Sequence, residues 1–208
     1  MLKKIKLFTV LSLLLTLSVT RELCAYSYKP DLPVTIYSDG DTWDKSTFFL
    51  PTNWTADVPC ARFDDKCTDT PKKGKYCLKF DYDTGIYHIF NWIMLAWVFP
   101  AYNWANVDGG LDLSDATKIS FWARGKTGGE YIVIGFGGNY GVYSDTVELV
   151  FGPVQLSSKW EKYTFPIKGE DKTHISQGFS LIIRLADNPA KSLKKSVITI
   201  YLDDAKIE

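Results

Sequence analysis

Apolar and polar residues alternate along several short segments of the chain. The alternation is found in residues 76–81, 119–124, 131–134, 179–185 and 197–202. A period of two is typical of β-strands with one buried face, and no long segment shows the 3.6-residue period of an amphipathic helix. Weaker patterns predict further strands near residues 33–38, 86–98, 145–151 and 159–167.

Turn-forming sequences separate these segments. They include Asp39-Gly40, Lys73-Gly74, Asp108-Gly109-Gly110, Gly125 to Gly129, Gly137-Gly138-Asn139, Lys168-Gly169 and Asn188-Pro189. Roughly eight to ten short strands with such turns predict an all-β fold, a jelly-roll β-sandwich of two antiparallel sheets. Residues 39–72 show no clear alternation, so we expect one long ordered loop there, near the N-terminus.

The first 25 residues have the features of a secretory signal peptide. Lys3, Lys4 and Lys6 precede an apolar run, and Ala25 offers a small residue for cleavage. The sequence leaves open two other readings of this segment, a lipidated Cys24 and an uncleaved anchor. Cleavage after Ala25 would leave residues 26–208 as a single exported domain, extracellular, periplasmic or attached to the cell surface.

Composition and charge narrow the possible partners. Hydrophobic residues make up 46% of the chain and charged residues 23%, which is typical of a globular protein. The full chain holds 24 basic and 24 acidic residues. Residues 1–25 hold four of the basic residues and one of the acidic ones, so the chain has a net charge of −3 after cleavage. A nucleic-acid ligand is therefore not expected, because phosphate binding needs a basic face. Once the signal is removed, no second apolar stretch is long enough to enter a membrane.

Three cysteines remain after cleavage. Cys67 and Cys77 flank a polar turn that can bring them together, which predicts a disulfide in an oxidising compartment. The pattern also allows a Cys60–Cys67 bridge or three buried thiols. A zinc site is not expected, because neither of the two histidines is near a cysteine pair.

From about Val34 to Glu208, the chain resembles the galactose-binding-like jelly-roll carbohydrate-binding modules of secreted bacterial polysaccharide-handling proteins. The motifs that carry the resemblance are Ile36 to Gly40, Pro51 to Trp54, Asp64 to Cys67, Gly74 to Cys77, Trp97 to Trp104, Gly109 to Leu113, Ala116 to Gly125, Trp160 to Tyr163 and Tyr201 to Asp204. One departure follows Trp54, where residues 55–60 replace a more usual Gly-Asp turn. The order of the motifs points to the fold and leaves the ligand open.

The resemblance implies a structural calcium ion near the chain ends. Its side-chain ligands would be Asp39 and Asp203, with a backbone carbonyl near Gly74, and calcium prefers such oxygen ligands. Asp64 and Asp65 would be additional ligands. The sequence does not decide between Asp203 and Asp204, and ordinary surface carboxylates are the alternative.

Aromatic residues suggest where a glycan would bind. Sugar recognition combines flat aromatic faces with a few polar groups that bind hydroxyls. The predicted ligand-binding residues are Trp54, Trp97, Asn103, Trp104, Trp122, Arg124 and Arg184. We expect Trp122, Arg124 and Arg184 to share one sheet face, where the arginines would bind hydroxyl or carboxylate groups. The alternatives are buried tryptophans and structural Arg–Asp pairs.

Signals for catalysis are weak. Glu130 and Glu148 are the only acidic pair in a strand context, and no Gly-x-Ser-x-Gly motif accompanies His88 or His174. We therefore predict a secreted, non-catalytic module that binds a polysaccharide or oligosaccharide. The rivals are a structural or protein-binding sandwich and a small glycan hydrolase or lyase. The sequence predicts no oligomeric state.

Overall fold

The computed structural model describes residues 27–40, 47–188 and 196–208, and they form a sandwich of two antiparallel sheets. The eleven strands described are β1 (Val34–Tyr37), β2 (Leu50–Ala56), β3 (Ala61–Cys67), β4 (Cys77–Asp83), β5 (Trp92–Val98), β6 (Lys118–Gly125), β7 (Tyr131–Gly137), β8 (Glu148–Gln155), β9 (Glu161–Pro166), β10 (Gln177–Arg184) and β11 (Val197–Ile207). A short 3-10 turn, Val58–Cys60, joins β2 to β3. This confirms the predicted all-β jelly roll.

The chain crosses repeatedly between the two sheets. One sheet has the order β3-β4-β11-β6-β9, with β1 pairing the end of β11, and we call it the six-stranded sheet. The other has the order β2-β5-β10-β7-β8, and we call it the five-stranded sheet. No helix in the described part of the chain has the length and apolar character needed to cross a membrane.

The core lies between the sheets and is rich in aromatic rings. Phe121 of the six-stranded sheet packs against Phe179 of the five-stranded sheet, with ring centroids 5.6 Å apart. Phe179 in turn packs against Trp97 at 5.3 Å. All three side chains are fully buried, and burial of each stabilises the fold by about 2–3 kcal/mol. These contacts hold the two sheets at a fixed distance, so the outer faces are rigid surfaces.

The predicted long loop at residues 39–72 was wrong. Apart from residues 41–46, which lie outside the described residues, this region contains strands β2 and β3. Each lies at the edge of its sheet, with one neighbouring strand. An edge strand is covered less completely, so its sequence alternates less clearly than that of a central strand. The predicted strand at 86–98 is shorter than expected, because residues 86–91 form a loop before β5. The predicted signal peptide at residues 1–25 also lies outside the described residues.

Candidate functional site

A cleft of about 200 Å³ lies on the outer face of the five-stranded sheet. Its floor includes two small residues on adjacent strands, because Gly135 of β7 lies opposite Ser180 of β10. A Cβ atom at Gly135 would collide with the present position of the Ser180 hydroxyl oxygen. The two small residues therefore form a depression between the larger side chains.

Larger side chains border this depression on the sheet itself. Met94 and Ile182, directly opposite each other on β5 and β10, form one side. Gln177 of β10 and Glu148 of β8 lie on the other side, next to Gly137. The cleft is thus apolar along one border and polar along the other.

Two loops raise the polar border and carry aromatic rings. Trp104 lies in the loop after β5, Tyr140 lies in the loop after β7, and both line the cleft. Trp104 is 45% exposed and Tyr140 is 67% exposed. The two loops are joined by a hydrogen bond from the Tyr143 N–H to the Ala105 carbonyl, 2.9 Å long. Each loop therefore supports the backbone of the other, and both rings lie beside the cleft.

A buried carboxylate organises the backbone beneath these loops. Asp145 accepts hydrogen bonds from the N–H groups of Asn139, Ser176 and Gln177, at 3.0, 2.5 and 3.3 Å, and from the Ser176 hydroxyl at 2.7 Å. Burial raises the pKa of Asp145, and these hydrogen bonds offset part of that rise. Since Asn139 and Gln177 both line the cleft, Asp145 sets the position of its polar border.

The polar border offers groups that suit hydroxyl ligands. The Tyr140 hydroxyl donates a hydrogen bond of 2.7 Å to Oε2 of Glu148, and this bond raises the pKa of Tyr140. The Gln177 side-chain N–H donates to the Gly137 carbonyl at 2.6 Å. Open aromatic faces beside a carboxylate and amides are the combination that sugar binding requires.

The sandwich shares its fold with solved carbohydrate-binding modules of family 30. The family 30 module of a cellulosomal cellulase of Clostridium thermocellum is 20% identical with a TM-score of 0.58, over 86% of this chain and 98% of that module. Another family 30 structure is also 20% identical, with a TM-score of 0.57, over 86% of this chain and 99% of that one. No protein-family model and no curated protein matches the sequence. The resemblance predicted from the motifs is therefore confirmed at the level of the fold.

Of the predicted stacking residues, Trp104 lies in the cleft and Trp97 does not. Trp97 is 0% exposed and packs in the core against Phe63 and Phe179, so the prediction that it stacks on a ligand was wrong. Trp54 also points toward the core. Its ring packs 5.7 Å from that of Phe80, and its indole N–H donates to a backbone carbonyl within β2.

Asn103 is buried and has a structural role in the wall of the cleft. Its side chain exchanges hydrogen bonds with the backbone of Val107 and donates to the Phe99 carbonyl, which stabilises the loop that carries Trp104. Its carbonyl accepts hydrogen bonds from the side chains of Asn53 and Asn139. Asn103 therefore supports the aromatic loop, and its predicted contact with a ligand was wrong because its side chain is fully enclosed.

The predicted shared face of Trp122, Arg124 and Arg184 was wrong. Trp122 and Arg124 lie on β6 of the six-stranded sheet, whereas Arg184 lies on β10 of the five-stranded sheet. Arg184 is two residues beyond Ile182 on the face that holds the cleft, about 7 Å away along the strand. Its guanidinium is bound to Asp187 at 2.5 Å, and it does not line the cleft.

A loop, residues 68–76, covers the outer face around Trp122 and Arg124. The guanidinium of Arg124 donates to the Asp69 carbonyl at 2.8 Å and lies 3.7 Å from the centre of the Tyr201 ring. The ammonium group of Lys72 lies 4.0 Å from the centre of the Trp122 ring. These side chains therefore interact with the loop, and the ring of Trp122 does not form an open platform.

Asp39 and Asp203 hold this loop in place through its backbone. Asp39 accepts hydrogen bonds from the N–H groups of Lys75 and Tyr76, at 2.5 and 2.7 Å. Gly74 lies against the same carboxylate, because a Cβ atom there would be 2.3 Å from Cγ of Asp39. Asp203 is buried and accepts the N–H groups of Lys72, Lys73 and Asp204 at 2.9, 3.0 and 2.8 Å.

The calcium ion that the resemblance implied stays a prediction. Calcium takes roughly six to eight oxygen ligands, whereas Oδ1 of Asp39 and both carboxylate oxygens of Asp203 already accept backbone N–H groups. Asp64 likewise accepts a backbone N–H, from Lys66, and Asp65 has one buried oxygen without a hydrogen-bond partner. Among the residues that the structure describes, no three His, Cys, Asp or Glu side chains form a group that could hold a metal ion. The two carboxylates clamp the loop.

The predicted disulfide is not present, because Cys60, Cys67 and Cys77 are all buried free thiols. Cys67 and Cys77 lie directly opposite each other on β3 and β4. Together with Tyr201 they form a small apolar cluster under the covering loop. Burial raises the pKa of Cys77 to about 12, and it also raises that of Cys67.

Sequence reasoning missed most of the cleft. Tyr140 follows the Gly137-Gly138-Asn139 turn, so an exposed aromatic residue at a predicted turn was an available signal. Glu148 was considered only as a catalytic acid. Met94, Ser180 and Gln177 gave no signal, because their common location depends on which strands are neighbours in the sheet.

Proposed function

We propose that the chain is a non-catalytic carbohydrate-binding protein that holds a polysaccharide in the cleft of the five-stranded sheet. The observation that carries the proposal is the pair of exposed rings, Trp104 and Tyr140, above a floor of small residues and a polar border. The rings would stack on the C–H face of a pyranose, while Glu148 and Gln177 would bind its hydroxyls. The shared fold with family 30 modules supports the same assignment.

We also propose that the chain is exported, and this part of the proposal rests on the sequence alone. The basic start, the apolar run and the small residue at Ala25 support cleavage of a signal peptide. A polysaccharide ligand outside the cell is consistent with that location.

The arrangement of acids argues against a glycosidase. Glu130 immediately precedes β7 and Glu148 lies opposite Gly137 at its other end, so β7 separates them by about 20 Å. Two carboxylates in a glycosidase lie roughly 5–9.5 Å apart. The Ser27 hydroxyl lies 2.7 Å from Nδ1 of His174, but the other ring nitrogen of His174 has no hydrogen-bond partner among the described residues. A serine nucleophile normally needs a carboxylate there to orient the histidine.

Affinity gel electrophoresis on a panel of polysaccharides tests the proposal. We expect at least one polysaccharide to retard the chain, and Trp104→Ala to weaken binding by about tenfold or more, because a buried stacked ring is a typical hot spot. Trp122→Ala is the matched control, since it removes a tryptophan from the covered face and should leave retardation unchanged. Absence of retardation on every polysaccharide would overturn the proposal.

A second candidate function, protein interaction, is favoured by one surface. The loop before β5 exposes four apolar side chains, Ile86, Tyr87, Ile89 and Phe90. The buried carboxylate of Asp57 anchors it by accepting the N–H groups of Ile89 and Phe90, each at 3.0 Å. Burial opposes ionisation of Asp57, but these bonds and one from Tyr82 outweigh it and lower the pKa to about 2. If no glycan binds, concentration-dependent association in sedimentation experiments, lost in Tyr87→Ser, would support this alternative.

A further inference from the structure

We propose that the cleft selects neutral glycans and excludes acidic ones, and that Glu148 is the residue that discriminates between them. This inference rests on the proposed function, since it concerns the ligand of the same cleft. It also departs from the sequence-based expectation that Arg124 and Arg184 would bind a carboxylate of the glycan.

The first support is the charge of the cleft. Among the described residues that line it, Glu148 is the only one with a charged side chain, and none is a lysine or an arginine. Arg184, on the same face beyond the cleft, is already paired with Asp187. A negatively charged ligand would therefore meet a carboxylate without a compensating cation.

The second support is the location of Glu148, an exposed residue at the border of the cleft. The side chain lies against Gly138, where a Cβ atom would come within 2.9 Å of Cγ of Glu148. On its other side, the Tyr140 hydroxyl donates to Oε2 at 2.7 Å. The carboxylate thus lies between a glycine and a tyrosine, where a ligand in the cleft would meet it.

The third support is the direction of the hydrogen bonds that such a carboxylate makes. An ionised carboxylate is only an acceptor, so its remaining oxygen favours a hydroxyl donor. Every neutral sugar ring supplies hydroxyl donors. A uronate carboxylate or a sulfate has no proton to donate, and like charges at contact distance repel. Glu148 would therefore strengthen the binding of a hydroxylated ring and weaken that of an acidic one.

The test compares neutral polysaccharides with their own C6-oxidised forms, in which primary hydroxyls have become carboxylates. The probes are a soluble β-glucan, a galactan and the oxidised product of each, at low ionic strength with the wild-type chain. We expect retardation by a neutral form and at least tenfold weaker binding of its oxidised form. In Glu148→Gln, we expect binding of the neutral form to fall by about tenfold, as for loss of a charged hydrogen-bond partner, and the difference between the two forms to shrink to within about threefold.

The matched control is Glu161→Gln, which removes an exposed carboxylate from β9 of the six-stranded sheet, away from the cleft, and should retain the preference for the neutral form. Tighter binding of an oxidised form, lost in Trp104→Ala, would overturn the inference while the proposed function stands. A preference that is unchanged in Glu148→Gln would overturn it as well. If neither the neutral nor the oxidised forms bind, the proposed function fails together with the inference.

Discussion

The outer faces of the two sheets differ in their access to solvent. On the six-stranded sheet, Trp122 and Arg124 point outward and are covered by the loop 68–76. On the five-stranded sheet, the outward side chains include Met94 and Ser180, and the loops that carry Trp104 and Tyr140 stand beside the face. The presence of an outward tryptophan therefore does not identify a binding face. Access is decided by whether the neighbouring loop crosses the face or borders it.

Carboxylates hold the loops on both faces, and the loops beside the cleft are also joined to each other. Asp203 accepts N–H groups from the middle of the covering loop, and Asp39 accepts them at its C-terminal end. Near the cleft, Asp145 likewise accepts backbone N–H groups, from Asn139 and Gln177. The rings of Trp104 and Tyr140 are exposed beside it. Buried acids thus fix both faces, one closed and one open.

The largest expected effect is a loss of stability when the loop over the six-stranded sheet loses its anchor. Asp203→Ala removes the acceptor of three backbone N–H groups, two of them in the covering loop, and should lower the free energy of unfolding by about 3 kcal/mol. Urea denaturation followed by tryptophan fluorescence measures it. Asp204→Asn is the control, because Asp204 makes a surface ion pair with Lys73 and its loss should cost no more than about 0.5 kcal/mol. Equal losses in both variants would show that the loop is not held by Asp203.

A smaller expected effect is a reduced reactivity of the two thiols that lie under the same loop. Cys67 and Cys77 should react with a disulfide reagent at least tenfold more slowly in the native chain than in denaturant, since burial raises both pKa values. Because the thiolate is the reactive form, the native rate should rise as the pH rises toward about 12, the pKa of Cys77. After denaturation, residues 26–208 should titrate three thiols. A count of one would show that two of the three cysteines are bridged, and Cys67 and Cys77, directly opposite on β3 and β4, would be the expected pair.

The smallest effect is expected from removal of metal ions. Since the oxygens of Asp39 and Asp203 already accept backbone N–H groups, a chelator should shift the melting temperature by less than about 1 °C. Calorimetry with and without chelator makes the measurement. A drop of several degrees that is absent in Asp203→Ala would mean that an ion replaces these hydrogen bonds, and the implied calcium site would then stand.

Central strands such as β6, β10 and β11 gave clear patterns in the sequence, whereas the edge strands β8 and β9 gave weak patterns and the edge strands β2 and β3 gave none. β6, β10 and β11 lie between two neighbours and bury alternate side chains, so their pattern is clear. β2 and β3 have one neighbour each, and their polar residues hide the alternation. The same limit applies to tryptophans, because Trp97 and Trp104 are seven residues apart in one aromatic segment, yet one lies in the core and the other at the rim of the cleft.

The sequence by itself determined that the described chain would be a sandwich of antiparallel strands, because a period of two leaves one apolar face per strand that must be buried. It also indicated an aromatic loop at Trp104. Only the tertiary structure decided where the cleft lies, since its floor depends on Gly135 and Ser180 becoming neighbours on β7 and β10, two strands that are distant in sequence. Likewise, only the packing of the loop 68–76 decided that Trp122 is covered, because backbone hydrogen bonds to Asp39 and Asp203 place it there.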